Sequence, residues 1–172
     1  MSRKPTLSYA VAASLRSDSK KHRFETRYTR FENIEELNKA DKELVLSAFD
    51  ALQKSYSPYS AFKVGAAIRL DNDKIVIGTN QENAAYPSGL CAERTALFAS
   101  GMQEGTPQTI AIVAQNNKQQ PASAYPCGAC RQVMMETEKR YKNNLEIIVG
   151  LKDGSFVKFE NTSSLLPFEF EI

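Results

Sequence analysis

Thr109-Ile110-Ala111-Ile112-Val113-Ala114 is the stretch whose reading decides the fold. After its first residue it has no polar position, so neither face of a strand built from it can meet water. That is the pattern of a strand buried in a parallel sheet with helices on both sides. The flanking sequence supplies helices. Cys91 to Ser100 is dominated by Ala and Leu and ends before Gly101, a plausible helix stop. Downstream, a helix is predicted from Cys127 to about Lys142, with Val133, Met134, Thr137 and Tyr141 along one face. Leu145 to Leu151 is a second buried strand, and Ser155 to Phe159 a shorter one after the Asp153-Gly154 turn.

Toward the N-terminus, Leu44, Val45, Ala48, Phe49 and Leu52 recur at helical spacing and predict a helix over Asn38 to Gln53. Ser57-Pro58-Tyr59-Ser60 stops it. Phe62 to Leu70 and Ile75 to Thr79 form a hairpin about the Asp71-Asn72-Asp73 turn, and Asn80 to Leu90 is a polar loop. Ser163 to Pro167 is a short helix or turn, and residues 23–30 are strand-like in composition or an arm on the surface. The order is that of a three-layer α/β/α domain over residues 23–172, on a sheet of about five strands. Residues 1–22 read as a basic, flexible N-terminal extension.

The chain has 172 residues, 42% hydrophobic and 24% charged, which fits one globular domain and excludes a largely disordered or collagen-like chain. No run approaches the roughly 18 apolar residues of a membrane helix. Net charge is +2, but Arg3, Lys4, Arg16, Lys20, Lys21, Arg23, Arg27 and Arg30 stand against only Asp18 and Glu25 in the first 30 residues. That segment nets +6, so the body nets −4, a poor electrostatic match for nucleic acid or anionic lipid. His22 is the sole histidine, which removes a Ser/His/Asp hydrolase from consideration.

Three cysteines, an odd number, argue against a disulfide framework and suit a reducing cytosol. Cys127-Gly128-Ala129-Cys130 opens a predicted helix, where positions i and i+3 share a face and the free amides favour thiolate. Cys91 opens another helix. If the two helix tips meet, three thiolates converge with a fourth position open, the arrangement of catalytic zinc. A thioredoxin-like redox pair and three inert buried thiols are the alternatives at this point. Glu93 lies about 200° around the helix from Cys91, so it is a poor fourth ligand; it is either near a group held off the helix tip or a solvent-facing residue complementing the dipole.

These residues resemble the cytidine deaminase family. The resemblance runs from about Tyr56 to Phe170 and rests on several motifs in order: Tyr59-Ser60-Ala61-Phe62-Lys63-Val64-Gly65-Ala66-Ala67, Asn80-Gln81-Glu82-Asn83, Cys91-Ala92-Glu93-Arg94-Thr95-Ala96, and Pro126-Cys127-Gly128-Ala129-Cys130-Arg131-Gln132. It implies a mixed sheet, one zinc per subunit held by Cys91, Cys127 and Cys130, and hydrolytic deamination of cytidine and deoxycytidine to uridine and deoxyuridine with release of ammonia. Glu93 is then the proton shuttle. Cysteine at position 91 resembles the small homotetrameric branch, cytoplasmic enzymes of pyrimidine salvage. Asn80 and Glu82 are implied to hold the ribose 3′-hydroxyl, Phe62 to pack on the base, and the Ala92 amide to bond the base carbonyl. Arg94, with Arg131 as a second candidate, would donate to sulfur. Tyr86 and Phe170 would reach a neighbouring subunit's site. Ser88 stands where the family often has an apolar residue.

Three rival functions are distinguishable. A deaminase of another aminopyrimidine nucleoside, of the blasticidin type, shares the cysteine motifs but lacks the Asn80/Glu82 pattern. A polynucleotide-editing deaminase needs a basic, aromatic groove that the −4 body does not offer. A non-catalytic structural zinc module needs a fourth protein ligand.

Overall fold

The computed structural model describes residues 21–170. The predicted extension over residues 1–22 falls outside them except for Lys21 and His22, which are exposed and belong to no helix or strand. Helix α1 (Lys39–Ala51) is entered through Asn38, whose side chain accepts from the Asp41 amide at 2.9 Å, the bond of an N-cap. Helices α2 (Ala92–Ser100) and α3 (Gly128–Tyr141) follow the predicted boundaries within a residue or two.

The sheet is built from β1 (Thr29–Phe31), β2 (Lys63–Leu70), β3 (Ile75–Thr79), β4 (Pro107–Gln115), β5 (Pro121–Ala122), β6 (Glu146–Gly150) and β7 (Phe156–Phe159). Its order is β1-β7-β6-β4-β2-β3. Strands β4 and β6 run parallel, joined through α3, while β2 pairs antiparallel with both β3 and β4. The mixed three-layer expectation holds, but the sheet has seven strands rather than about five. The two extra ones are three and two residues long; β1 is ordered by a strand far away in the chain, and β5 folds back across a short turn onto the end of β4. Strand β1 covers the free edge of β7, and β5 pairs with Ala114 and Gln115, beyond the stretch Thr109–Ile112 that β6 occupies.

The period of two along the central strands divides the core. Ala66, Ile68, Ile110, Ile112, Ile147 and Val149 face α2 and α3, packing with Ala92, Ala96, Leu97 and Met134. Their alternates Ala67, Ala111, Val113 and Ile148 face α1, packing with Leu44, Val45 and Ala48. Asp41 of α1 is buried and bonds Lys158 of β7 at 2.6 Å and Arg69 of β2 at 3.4 Å. Burial opposes the Lys158 charge, but its bonds to Asp41 and to Glu146 prevail and hold its pKa above the ordinary lysine value.

Two glycines set how closely the helices approach. A Cβ at Gly65 would stand 2.1 Å from the Ala48 carbonyl oxygen of α1. One at Gly78 would stand 2.4 Å from the Ala96 nitrogen and 2.6 Å from the Ala92 oxygen of α2. Strand β3 thus fixes the seat of α2, and with it the position of Cys91 and Glu93. Gly78→Val is expected to destabilise the fold by about 1–3 kcal/mol through overpacking. That lowers the thermal midpoint by about 2–4 °C per kcal/mol at this chain length. An unchanged midpoint in a calorimetric melt would contradict the close approach of β3 and α2.

Candidate active site

Cys91 and Cys127 occupy equivalent places. Each is the N-cap of its helix, in extended backbone conformation, and neither caps the helix with its own side chain. Both sulfurs are therefore available for other contacts. Because α2 and α3 pack on the same face of the sheet, the two helix tips meet. The Cys91 and Cys127 sulfurs are 3.9 Å apart, and Cys127 and Cys130 3.5 Å. All three sulfurs lie within 4.8 Å of one another. A tetrahedral zinc with Zn–S bonds of about 2.3 Å spaces its sulfurs about 3.8 Å apart, so this donor set fits that ion in both spacing and softness. Among the described residues no histidine or carboxylate joins the three-thiol cluster.

The surroundings favour thiolate at Cys91. Cys91 has its pKa lowered to about 5, first by a hydrogen bond from Cys130 and, against the cost of burial, by Arg94 and Cys127. Cys130 is fully buried and is the one pushed up, since it serves as the donor to Cys91. Arg94 donates from Nη2 to the Cys91 sulfur at 3.7 Å. Arg131 does not take the second such role. Its Nε donates to the Pro126 carbonyl and its Nη1 to the Leu165 carbonyl, both at 2.8 Å. Arg131 thereby ties the entry of α3 to the C-terminal segment, and that geometry turns it away from sulfur.

Glu93 is 5% exposed, which excludes the solvent-facing alternative. Its rotation away from Cys91 turns it into a cavity of about 520 Å³ whose lining includes Cys91 and Cys127. Burial raises its pKa above the ordinary carboxylate value. Phe62, Asn80, Glu82, Tyr86 and Ala92 line the same cavity, so six of the residues singled out for catalysis and substrate binding are brought together. Ala92 heads α2, so its N–H has no partner within the helix. Asn80 is largely occupied by the backbone. Its Oδ1 accepts from the Val64 amide at 2.8 Å and the Ser55 hydroxyl at 2.6 Å, and its Nδ2 donates to the Phe62 carbonyl at 2.8 Å. It joins the start of β2 to the end of β3 and so holds Phe62 in place.

Tyr86 lies on the cavity rim, 78% exposed, its ring 6.2 Å from that of Tyr59. Phe170 is 69% exposed and is not part of the lining; its carbonyl accepts from Gln132 Nε2 at 3.3 Å. The lining also includes Ser60, Leu90 and Tyr125, which sequence reasoning did not single out. Ser60 has a signal in the sequence, a helix-stopping Ser57-Pro58-Tyr59-Ser60 run that opens one of the motifs. Tyr125, two residues before Cys127, has none beyond that proximity.

Comparison with known proteins places this geometry among relatives. The family profile described as "Cytidine and deoxycytidylate deaminase zinc-binding region" matches residues 38–143. A cytidine deaminase of Halalkalibacterium halodurans is 42% identical over 107 residues, 60% of this chain and 79% of that protein. A probable cytidine deaminase of Dictyostelium discoideum is 35% identical over 135 residues, 78% of this chain and 84% of that one. The crystal structure of a cytidine deaminase from Burkholderia pseudomallei superposes with a TM-score of 0.65 at 38% identity, covering 74% of this chain and 97% of that chain.

The cysteine geometry generates a metal test. Purified protein is expected to carry one zinc per chain by elemental analysis. Cys130→Ser, which removes the buried member of the cluster, is expected to lower zinc content toward zero. Full zinc retention in that variant would contradict the three-sulfur site.

Proposed function

The chain belongs to the cytidine and deoxycytidylate deaminase family, and on that premise we propose that its cavity performs the hydrolytic deamination of cytidine and deoxycytidine, giving uridine or deoxyuridine and ammonia. The observation that carries this reading is the meeting of the three thiols and the buried Glu93 at one cavity. Zinc held by Cys91, Cys127 and Cys130 supplies, when bound, a Lewis acid that acidifies water. The chain's own residues do the rest. Glu93 accepts a proton from the attacking water and passes it to N3 of the ring as oxygen adds at C4; it then takes the proton of the new C4 hydroxyl and delivers it to the amino group as the C4–N bond breaks, leaving a C4 carbonyl. Atoms balance as nucleoside plus water to deaminated nucleoside plus ammonia. Arg94 offsets the excess negative charge that three thiolates place around a divalent ion.

Phe62 packs on the base, the Ala92 amide bonds the base carbonyl, and Asn80 and Glu82 recognise the sugar. Support for this division comes from their common lining of the cavity and from the Asn80 bonds that hold Phe62. Residues 23–172 constitute the deaminase domain in this reading. The assembly is a homotetramer in which Tyr86 and Phe170 complete a neighbouring copy's site; the exposure of both rings supports that role. Three free cysteines suit a reducing cytoplasm, and the proposed reaction itself suits a place in pyrimidine salvage. Among the described residues no helix is long and apolar enough to cross a membrane.

Glu93→Ala is expected to keep its zinc and its fold while kcat falls by about a hundred- to ten-thousand-fold, followed by the ultraviolet change as cytidine is consumed. Near-normal turnover would remove Glu93 from the mechanism. Light scattering on the native protein is expected to give four chains per particle, and a fully active monomer would contradict the shared site.

A further inference from the structure

We propose that Ser60 is a positioning residue whose hydroxyl fixes the Glu82 carboxylate so that one acceptor position remains, for one sugar hydroxyl. The proposal rests on the nucleoside reading above and deepens it. Glu82 Oε2 accepts from the Tyr59 amide at 2.8 Å and the Ser60 amide at 3.3 Å. Its Oε1 accepts from the Ser60 hydroxyl. A carboxylate offers about four acceptor positions. Three are taken, and the vacancy lies on Oε1. Because all three donors belong to one loop and grip both oxygens, the carboxylate cannot rotate to offer more.

That loop is itself built to be rigid. Tyr56 N donates to the Asn80 carbonyl at 3.2 Å and Glu82 N to the Tyr56 carbonyl at 2.8 Å, lacing the loop to the segment that carries Glu82. Ala61 sits at φ 52°, in the left-handed region that a non-glycine residue adopts only when its surroundings impose it. Its amide donates back to the Ser57 carbonyl at 3.0 Å. The Ser60 oxygen also accepts from the Phe62 amide at 3.0 Å. One hydroxyl therefore ties the acidic group to the ring assigned to the base, and sets their separation. The Ser60 bond, ahead of the two amides in effect, holds the Glu82 pKa below the ordinary carboxylate value, so Glu82 stays an acceptor through neutral pH.

The test is a cycle of residue against substrate hydroxyl. Steady-state kinetics are measured for the zinc-loaded wild type, Ser60→Ala and Ser60→Thr, each with cytidine and with 2′,3′-dideoxycytidine. Ser60→Ala is expected to raise KM for cytidine about tenfold, the effect of a hydrogen bond to a charged group, with kcat nearly unchanged. For the dideoxy substrate, which keeps the 5′-hydroxyl but lacks the 3′-hydroxyl assigned to Glu82, the same substitution is expected to change kcat/KM far less, so the two losses are not additive. Ser60→Thr, which keeps the hydroxyl, is expected to restore KM. Equal losses on both substrates would overturn the proposal and leave Ser60 as a loop support, and so would the absence of an effect on either. A zinc-loaded wild type that converts no cytidine would instead remove the deaminase reading, and this proposal with it, before any variant is made.

Discussion

The structure depends on bringing the N-termini of two helices to one point. Each terminus presents unpaired amides and the positive end of a dipole, and each carries a cysteine at its cap. Separately these are ordinary thiols. Together, with Cys130 one turn into α3, they form a compact sulfur triangle whose charge is stabilised by two helices and Arg94. The convergence requires α2 and α3 to pack on the same face of the sheet. It also requires β3 to offer no side chain at Gly78, where α2 approaches most closely. The fold is a device for holding that point still, and the charged contacts of Asp41 with Lys158 and Arg69 secure the opposite layer.

The cavity has two differently built ends. At the sulfur end, Cys91, Ala92 and Glu93 stand in consecutive positions at the cap and first turn of α2, so thiol, amide and carboxylate are fixed relative to one another. At the other end the polar groups come from loops, and loops must be braced. Asn80 holds the backbone of residues 62 and 64, while the segment 59–60 holds Glu82. A residue that looks like a substrate contact in the sequence is thus an internal strut, which gives its substitution a structural consequence.

Much of this was legible in the sequence. The unbroken apolar run Ile110 to Ala114 identified the central strand, and the alternation of helix and strand around it gave the layers because period-two burial is a local property. Strand β1 was legible only as a strand-like composition over residues 23–30, since the edge that orders it lies far away in the chain, and the two-residue β5 was not legible because it is too short to carry a pattern of its own. The cysteine motifs were readable because metal ligation needs fixed spacing. The environment of Glu93 was not: ideal helix geometry allowed a solvent-facing side chain, and only tertiary packing decides that it is buried. Arg131 shows the converse failure. It was a second candidate donor to sulfur, whereas its guanidinium donates to two backbone carbonyls.

The central claim is that three sulfurs of this chain hold one zinc with a fourth position free for chemistry. Zinc K-edge X-ray absorption on the purified protein tests it most directly. Three sulfur scatterers at about 2.3 Å and one oxygen scatterer, the latter perturbed on adding cytidine, are predicted. A first shell with fewer than three sulfurs, or one whose fourth position stays unchanged in saturating nucleoside, would contradict the account.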